Sequence, residues 1–445
     1  MKIEEFEFLK NKNAICKVLK YALKSDFYSR LYEKKGVLAD NIQSYEDFKK
    51  IPCISKADYC KNRVWMISDS VKRNALSQND ILLDCNGSIR KLYEQNGFFI
   101  KITSGSTGKP VEIIKSQSDI RREYIGLNVA RKMNLGTLPS GNYVWIWPAN
   151  SEIRKYFYSD NKISVYRDSK YGYKYMLAEY SDVTFRNLHS FILQNNISWI
   201  TAPPSMLCLF AEYLNINKLK IRFNYIECHS EKLFPWQLKC IYEAFECIPA
   251  SVYSSNEIQF IGMTCKCGKM HLIPNNAFVE IIDDEQGKNQ VIVTSLCAYE
   301  LPIIRYRIGD LGKWDDGPCK CNITTPILDI KGYRQNDYLK TEDGRNIEPF
   351  LISDLIILIN NLYKVSIEEY TVKQTDWKSL LFYLKKDAIE KIKNISEILS
   401  YIIQYFENTI HITFDVKFED IDKLREQTGT RKFKYFIGIE RNKEE

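Results

Sequence analysis

The sequence predicts an α/β protein with a large N-terminal domain of layered sheets and helices, an antiparallel β subdomain, and a small α+β C-terminal domain. Three observations carry that expectation. From Phe98 onward, short β-type runs (FFIKITS, NYVWIWP, WITAPP, YIECHS, SVYSS) alternate with helical stretches, the pattern of mostly parallel sheets layered with helices. Residues 277–315 shift to strands and turns, with FVEIIDD, QVIVTSL and LPIIRYRIGD broken by Gly and Asp. Residues 338–445 then begin a mixture of their own: YLKTEDG, helices over 350–362 and 388–408, and strands near 365–385 and 410–418. A boundary near Tyr333–Asp337 follows, dividing the chain into residues 1–333 and 334–445.

Ahead of the first strand, residues 1–60 carry apolar side chains at helical spacing, among them Ile15, Val18, Leu19 and Leu23. Ile51-Pro52 followed by Ser55 reads as an extended entry and then a helix start. With 445 residues, 45 % of them hydrophobic, the chain exceeds one ordinary domain of roughly 150 residues. No segment reaches the ~18–20 uninterrupted apolar residues of a membrane span. The opening MKIEEFEFLKNKN has acidic residues where a signal peptide has an apolar stretch. A cytoplasmic location is expected, and there the thirteen cysteines stay reduced rather than forming a disulfide framework. The net charge of +7 is spread along the chain without a basic block, which argues against nucleic acid as a partner.

The sharpest local signal is Thr103-Ser104-Gly105-Ser106-Thr107-Gly108-Lys109-Pro110. Glycines let backbone N–H groups turn inward as an anion nest, and hydroxyls and a lysine add donors for phosphate oxygens. Pro110 stands where a Walker loop needs Ser or Thr, so this is a phosphate loop of another kind.

This segment resembles the phosphate loop of the adenylate-forming ligase superfamily, which includes acyl-CoA synthetases, luciferases and nonribosomal adenylation domains. Further segments agree in the right order. Tyr253-Ser254-Ser255-Asn256-Glu257 is similar to the element in which the aromatic ring lies by adenine and the glutamate holds Mg²⁺. Arg305-Tyr306-Arg307-Ile308-Gly309-Asp310 resembles the element whose aspartate accepts both ribose hydroxyls, as an ionised carboxylate can. Tyr333-Arg334-Gln335-Asn336-Asp337 resembles the hinge, and Thr428-Gly429-Thr430-Arg431-Lys432 the loop that brings in a catalytic lysine. Thr201-Ala202-Pro203-Pro204-Ser205 resembles the segment beside the acyl pocket. His229-Ser230-Glu231 sits either where the family has its pair near adenine or as a helix cap.

The resemblance is nearest to phenylacetate–CoA ligases and the adenylating proteins of capsule biosynthesis. It implies a mobile C-terminal domain and two half-reactions: a carboxylic acid and ATP give acyl-AMP and pyrophosphate, and a nucleophile then displaces AMP. It makes Lys432, Glu257 and Arg334 the catalytic candidates, with Lys434 behind Lys432. Residues 103–109, Tyr253, Ser254 and Asp310 become the nucleotide-binding set. CoA is the default acceptor; an amine of surface-polysaccharide chemistry, or a nucleotide-binding protein that has lost the reaction, are the alternatives. The chain departs from the pattern at Asn256 (usually Thr), Tyr333 (Gly), Asn336 (Asp) and Arg431 (Gly).

A separate constellation comprises Cys265-x-Cys267-x-x-x-His271 and Cys319-x-Cys321. Thiolates and an imidazole at these separations suit a tetrahedral Zn²⁺. Related ligases carry a Cys…His pair and a Cys-x-Cys at matching places, which implies a structural zinc on Cys265, His271, Cys319 and Cys321, with Cys267 in reserve.

Overall fold

A computed structural model describes residues 2–38, 41–63, 65–68, 98–102, 112–148, 163–167, 169–177, 182–283, 289–334, 339–342, 346–347, 350–367, 369–392, 394–428 and 435–439. These form two compact units, residues 1–139 with 250–330, and residues 140–249 with 331–445.

The first unit opens with helices Ile3–Ala22, Asp26–Lys35, Tyr45–Lys49 and Lys56–Asn62. Ile15, Val18 and Leu19 are buried as their spacing predicts. Leu23 is not: the helix ends one residue earlier, and Leu23 is its exposed cap. Ser55 does start a helix, because its Oγ accepts from the Asp58 amide while the Asp58 carboxylate accepts from the Ser55 amide. The run FFIKI forms the strand Phe98–Ile102, which pairs antiparallel with Glu112–Ser116 rather than entering a parallel sheet. Ser116 then caps the helix Gln117–Leu135, which Gly136 closes at φ 78°.

In the same unit the run SVYSS supplies another strand. Its strand Ala250–Tyr253 pairs antiparallel with Gly262–Thr264, which pairs antiparallel with Met270–Leu272. Strands Ala277–Asp283, Asn289–Ser295 and Tyr306–Trp314 pair antiparallel in turn, as expected, and Leu328–Arg334 joins them in a four-stranded sheet. Its third strand begins only at Tyr306, since Leu301, Ile303 and Ile304 are spent as buried apolar plugs before it. One continuous core joins the N-terminal helices to this subdomain.

Among the described residues the second unit holds two large cores and a small cluster of Tyr383, Ile421 and Leu424. Strands Tyr225–Cys228, Ile197–Ala202, Asn142–Pro148 and Gly172–Leu177 are neighbours in that order and parallel, and Ile163–Arg167 closes the edge antiparallel. Helices Asp182–Gln194, Pro204–Ile216 and Pro235–Phe245 supply its other buried faces. Beyond residue 331, strands Asp415–Asp420, Ser379–Leu384, Tyr370–Asp376 and Phe436–Ile437 form a four-stranded sheet with helices Phe350–Tyr363, Lys386–Lys391 and Ile395–Ile410. The single helix expected over 388–408 is two, because the chain turns extended at Ile392. Among the described residues no helix is long and apolar enough to cross a membrane.

Candidate nucleotide site and metal centre

The segment after Ala250–Tyr253 is a tight turn held by side chains, and it carries Glu257. Ser255 Oγ accepts from the Ile258 amide at 3.0 Å, a Glu123 carboxylate oxygen from the Gln259 amide at 3.1 Å, and Ser254 Oγ from the Phe260 amide at 3.1 Å. Phe260 has φ 56°, a left-handed conformation that a non-glycine residue keeps only when its surroundings fix it. Glu257 itself is buried, and the Tyr306 hydroxyl donates to its Oε1 at 2.8 Å. Burial, followed by the negative charge of Glu257, pushes the Tyr306 hydroxyl far above its ordinary value, so it stays a donor.

Tyr306 opens the strand that also carries Asp310. Between the pairs Ile292↔Arg307 and Gln290↔Leu311 this strand has more residues than its partner, so Ile308–Asp310 form a bulge. Gly309 sits there at φ 85°, the one position in the bulge that needs a glycine. The bulge brings Asp310 to Tyr253, whose hydroxyl donates to Asp310 Oδ2 at 2.8 Å. Two segments fifty residues apart thus meet twice, tyrosine to carboxylate each time: Tyr253 with Asp310, and Tyr306 with Glu257.

Arg305, next to Tyr306, plays a different part. It holds φ 47°, and its guanidinium pairs with the buried Glu280 at 3.0 Å and donates to the carbonyls of Lys49 and Ile51. Tyr45 donates to the same glutamate at 3.0 Å. The network ties the N-terminal helices to the antiparallel subdomain, and nothing in the local sequence singles it out.

In the second unit the segments 201–205 and 229–231 also meet. Glu231 accepts from Ser205 N at 3.3 Å and Ser205 Oγ at 2.9 Å, at the start of the helix Pro204–Ile216. Glu231 thus meets the first turn of this earlier helix, whose N-cap is Pro203, while Phe234 is the N-cap of the helix that follows. His229 Nε2 accepts from the Trp145 indole at 3.0 Å. Residues 103–109, Lys432 and Lys434 lie outside the described residues, and Arg334 is described only as the last residue of its strand.

Cys265, His271, Cys319 and Cys321 come together, their ligand atoms all within 4.8 Å of one another. Cys265 Sγ lies 3.5 Å from Cys319 Sγ, and Cys321 Sγ 3.3 Å from His271 Nε2. A tetrahedral zinc with ligand bonds of ~2.0–2.3 Å spaces its donors by about 3.3–3.8 Å, and both of these separations lie in that range. His271 Nδ1 faces the Thr325 carbonyl at 3.0 Å, which directs Nε2 at the thiols. Gly268, at φ 80°, closes a turn in which its amide bonds Cys265 O at 2.8 Å and the Cys265 amide bonds Lys269 O at 2.9 Å. Burial pushes the Cys265 thiol up to about 12, whereas hydrogen bonds from His271 and Cys321 outweigh desolvation at Cys319 and draw it down to about 6. Cys267 is exposed.

No family model matches the sequence, and no curated protein matches it. Solved structures do. A 2-hydroxyisobutyryl-CoA ligase in its postadenylation state with R3-HIB-AMP aligns at TM-score 0.65 and 16 % identity, covering 96 % of this chain and 88 % of that one. The same ligase with 2-HIB-AMP aligns at TM-score 0.60 and 17 % identity, covering 92 % and 85 %. With 2-HIB-AMP and CoA in the thioesterification state it aligns at TM-score 0.53 and 17 % identity, covering 97 % and 90 %. The chain has the fold of the AMP-forming, adenylate-forming ligases.

Proposed function

We propose that the protein is an AMP-forming carboxylate ligase. It binds ATP with Mg²⁺, activates a carboxylic acid as acyl-AMP with release of pyrophosphate, and passes the acyl group to CoA. The observation that carries this reading is the pairing of Tyr253 with Asp310 and of Tyr306 with Glu257 in a shared fold: two acidic groups with two different duties are each fixed by one phenol.

In this reading Asp310 takes the ribose hydroxyls and Tyr253 flanks the adenine. Glu257 holds the Mg²⁺ that enters with ATP, and residues 103–109 hold the phosphates. Lys432 meets the charge that builds on the oxygens around the α-phosphorus as the carboxylate attacks. Holding acid and nucleotide in line makes the attack nearly unimolecular. Arg334 belongs to the hinge ahead of a mobile domain, residues 334–445, a division supported by the separate core over 339–436. Cys265, His271, Cys319 and Cys321 would hold a zinc in a structural role, clipping 265–271 to 319–321.

Product analysis tests the proposal. Incubation with ATP, Mg²⁺, CoA and a panel of carboxylic acids should yield AMP and the thioester of at least one acid. AMP release that ignores CoA but responds to an amine or amino sugar would move the acceptor to amide chemistry. No AMP with any acid would contradict the proposal.

A further inference from the structure

Lys115 and Glu123 form an ion pair at 2.5 Å with side chains 2 % and 0 % exposed. Removing two charges from water is expensive, and such a pair rarely adds net stability over an apolar pair of the same volume. The pairing is also lopsided. Oε1 of Glu123 takes both the Lys115 ammonium and the Gln259 amide, at 2.5 and 3.1 Å, while Oε2 is buried without a hydrogen-bond partner among the described residues. Stability alone does not account for a carboxylate placed this way. What it does hold is the amide two residues beyond Glu257.

The surrounding contacts serve the same turn. Asn276 donates to the backbone carbonyls of Glu123, at 2.9 Å, and Phe260, at 3.2 Å, clamping the helix Gln117–Leu135 against the residues after Glu257. Gly126 makes room for it: a Cβ there would lie 1.9 Å from the Asn276 side-chain oxygen. Of the three amides after Glu257, those of Ile258 and Phe260 are held from within the turn and that of Gln259 from outside it, by Glu123. Lys115 lies on the strand Glu112–Ser116, just beyond the phosphate-loop segment in sequence.

We propose that Glu123, oriented by Lys115, is a positioning residue that fixes the Glu257 carboxylate for the metal–nucleotide complex. This rests on the reading of Glu257 as the carboxylate that holds the divalent ion. Neither Lys115 nor Glu123 touches substrate. Their part is to set the backbone on which Glu257 stands, which predicts a loss in metal–nucleotide affinity without loss of fold.

Binding of Mn²⁺–ATP to the full chain, followed by the spin-resonance signal of free Mn²⁺, needs no knowledge of the acid. Two charge-free pairs of similar volume are compared. Lys115→Met with Glu123→Gln keeps an acceptor for the Gln259 amide, and Lys115→Met with Glu123→Met removes it. The first pair should bind within about threefold of the unaltered chain. The second should melt at a similar temperature yet bind about tenfold or more weakly, as when a group behind a metal ligand is lost. Should the methionine pair fail to fold, Glu123→Asp, which withdraws the acceptor by one methylene, is measured instead and should also bind at least several-fold more weakly. Equal affinity in the Gln variant and in the Met or Asp variant overturns the inference, provided Glu257→Gln weakens binding. No Mn²⁺–ATP binding by the unaltered chain, or no effect of Glu257→Gln, sinks the reading of Glu257 and the inference with it.

Discussion

At the scale of single residues, the site rests on phenols that donate to carboxylates. Tyr306→Phe removes the donor to Glu257 and leaves the ring in place. A hydrogen bond to a buried charge is worth about 1.5–3 kcal/mol, so the variant should lose about that much stability in urea unfolding, and adenylation at fixed MgATP should fall about tenfold to a hundredfold. Glu257→Gln should cost more than Tyr306→Phe, and unchanged rates in both would contradict the assignment. Arg305 is predicted to act through the fold alone. Arg305→Met strands Glu280, whose carboxyl burial already pushes upward, and should destabilise the fold by about 3–5 kcal/mol in urea unfolding. Adding Glu280→Leu should recover most of that loss. Glu257 and Asp310 stand out as candidates in the sequence because their neighbours form a pattern along the chain. Lys115–Glu123 and Arg305–Glu280 were not readable, since their partners lie 8 and 25 residues away and meet only through tertiary structure.

At the scale of elements, period and caps explain what the sequence told and where it stopped. NYVWIWP and WITAPP became parallel strands because apolar residues fill both faces, as a covered sheet demands. FFIKI is also largely apolar yet pairs antiparallel, because pairing direction depends on where the neighbouring strand comes from. The Cys/His clip was readable as spacing, and the fold brings together the four residues with the right donors. Metal analysis of protein purified without chelator should find one zinc per chain. Stripping it should lower the melting temperature. Cys319→Ser should reduce the stoichiometry, whereas Cys267→Ser should leave it intact because that thiol is exposed. Folded protein that never carries the metal, at any stage of purification, would remove the clip from the account.

At the scale of the whole molecule, the chain matches an acyl-CoA ligase over nearly its full length at 16 % identity. Fold survives such divergence because it depends on buried volume and pattern, while substrate choice depends on a few pocket side chains that leave no regular trace in sequence. The same scale governs Lys432. If it serves only adenylation, Lys432→Ala should abolish acyl-AMP formation and leave transfer from supplied acyl-AMP largely intact. Equal loss in both half-reactions would point to Lys434 or to a structural role. The central claim, reversible acyl-AMP formation, is tested most directly by exchange of labelled pyrophosphate into ATP across a panel of carboxylic acids, with no acceptor present. The account predicts label in ATP with at least one acid, dependent on Mg²⁺ and abolished by Glu257→Gln. No exchange with any acid, or exchange that survives Glu257→Gln undiminished, would contradict it.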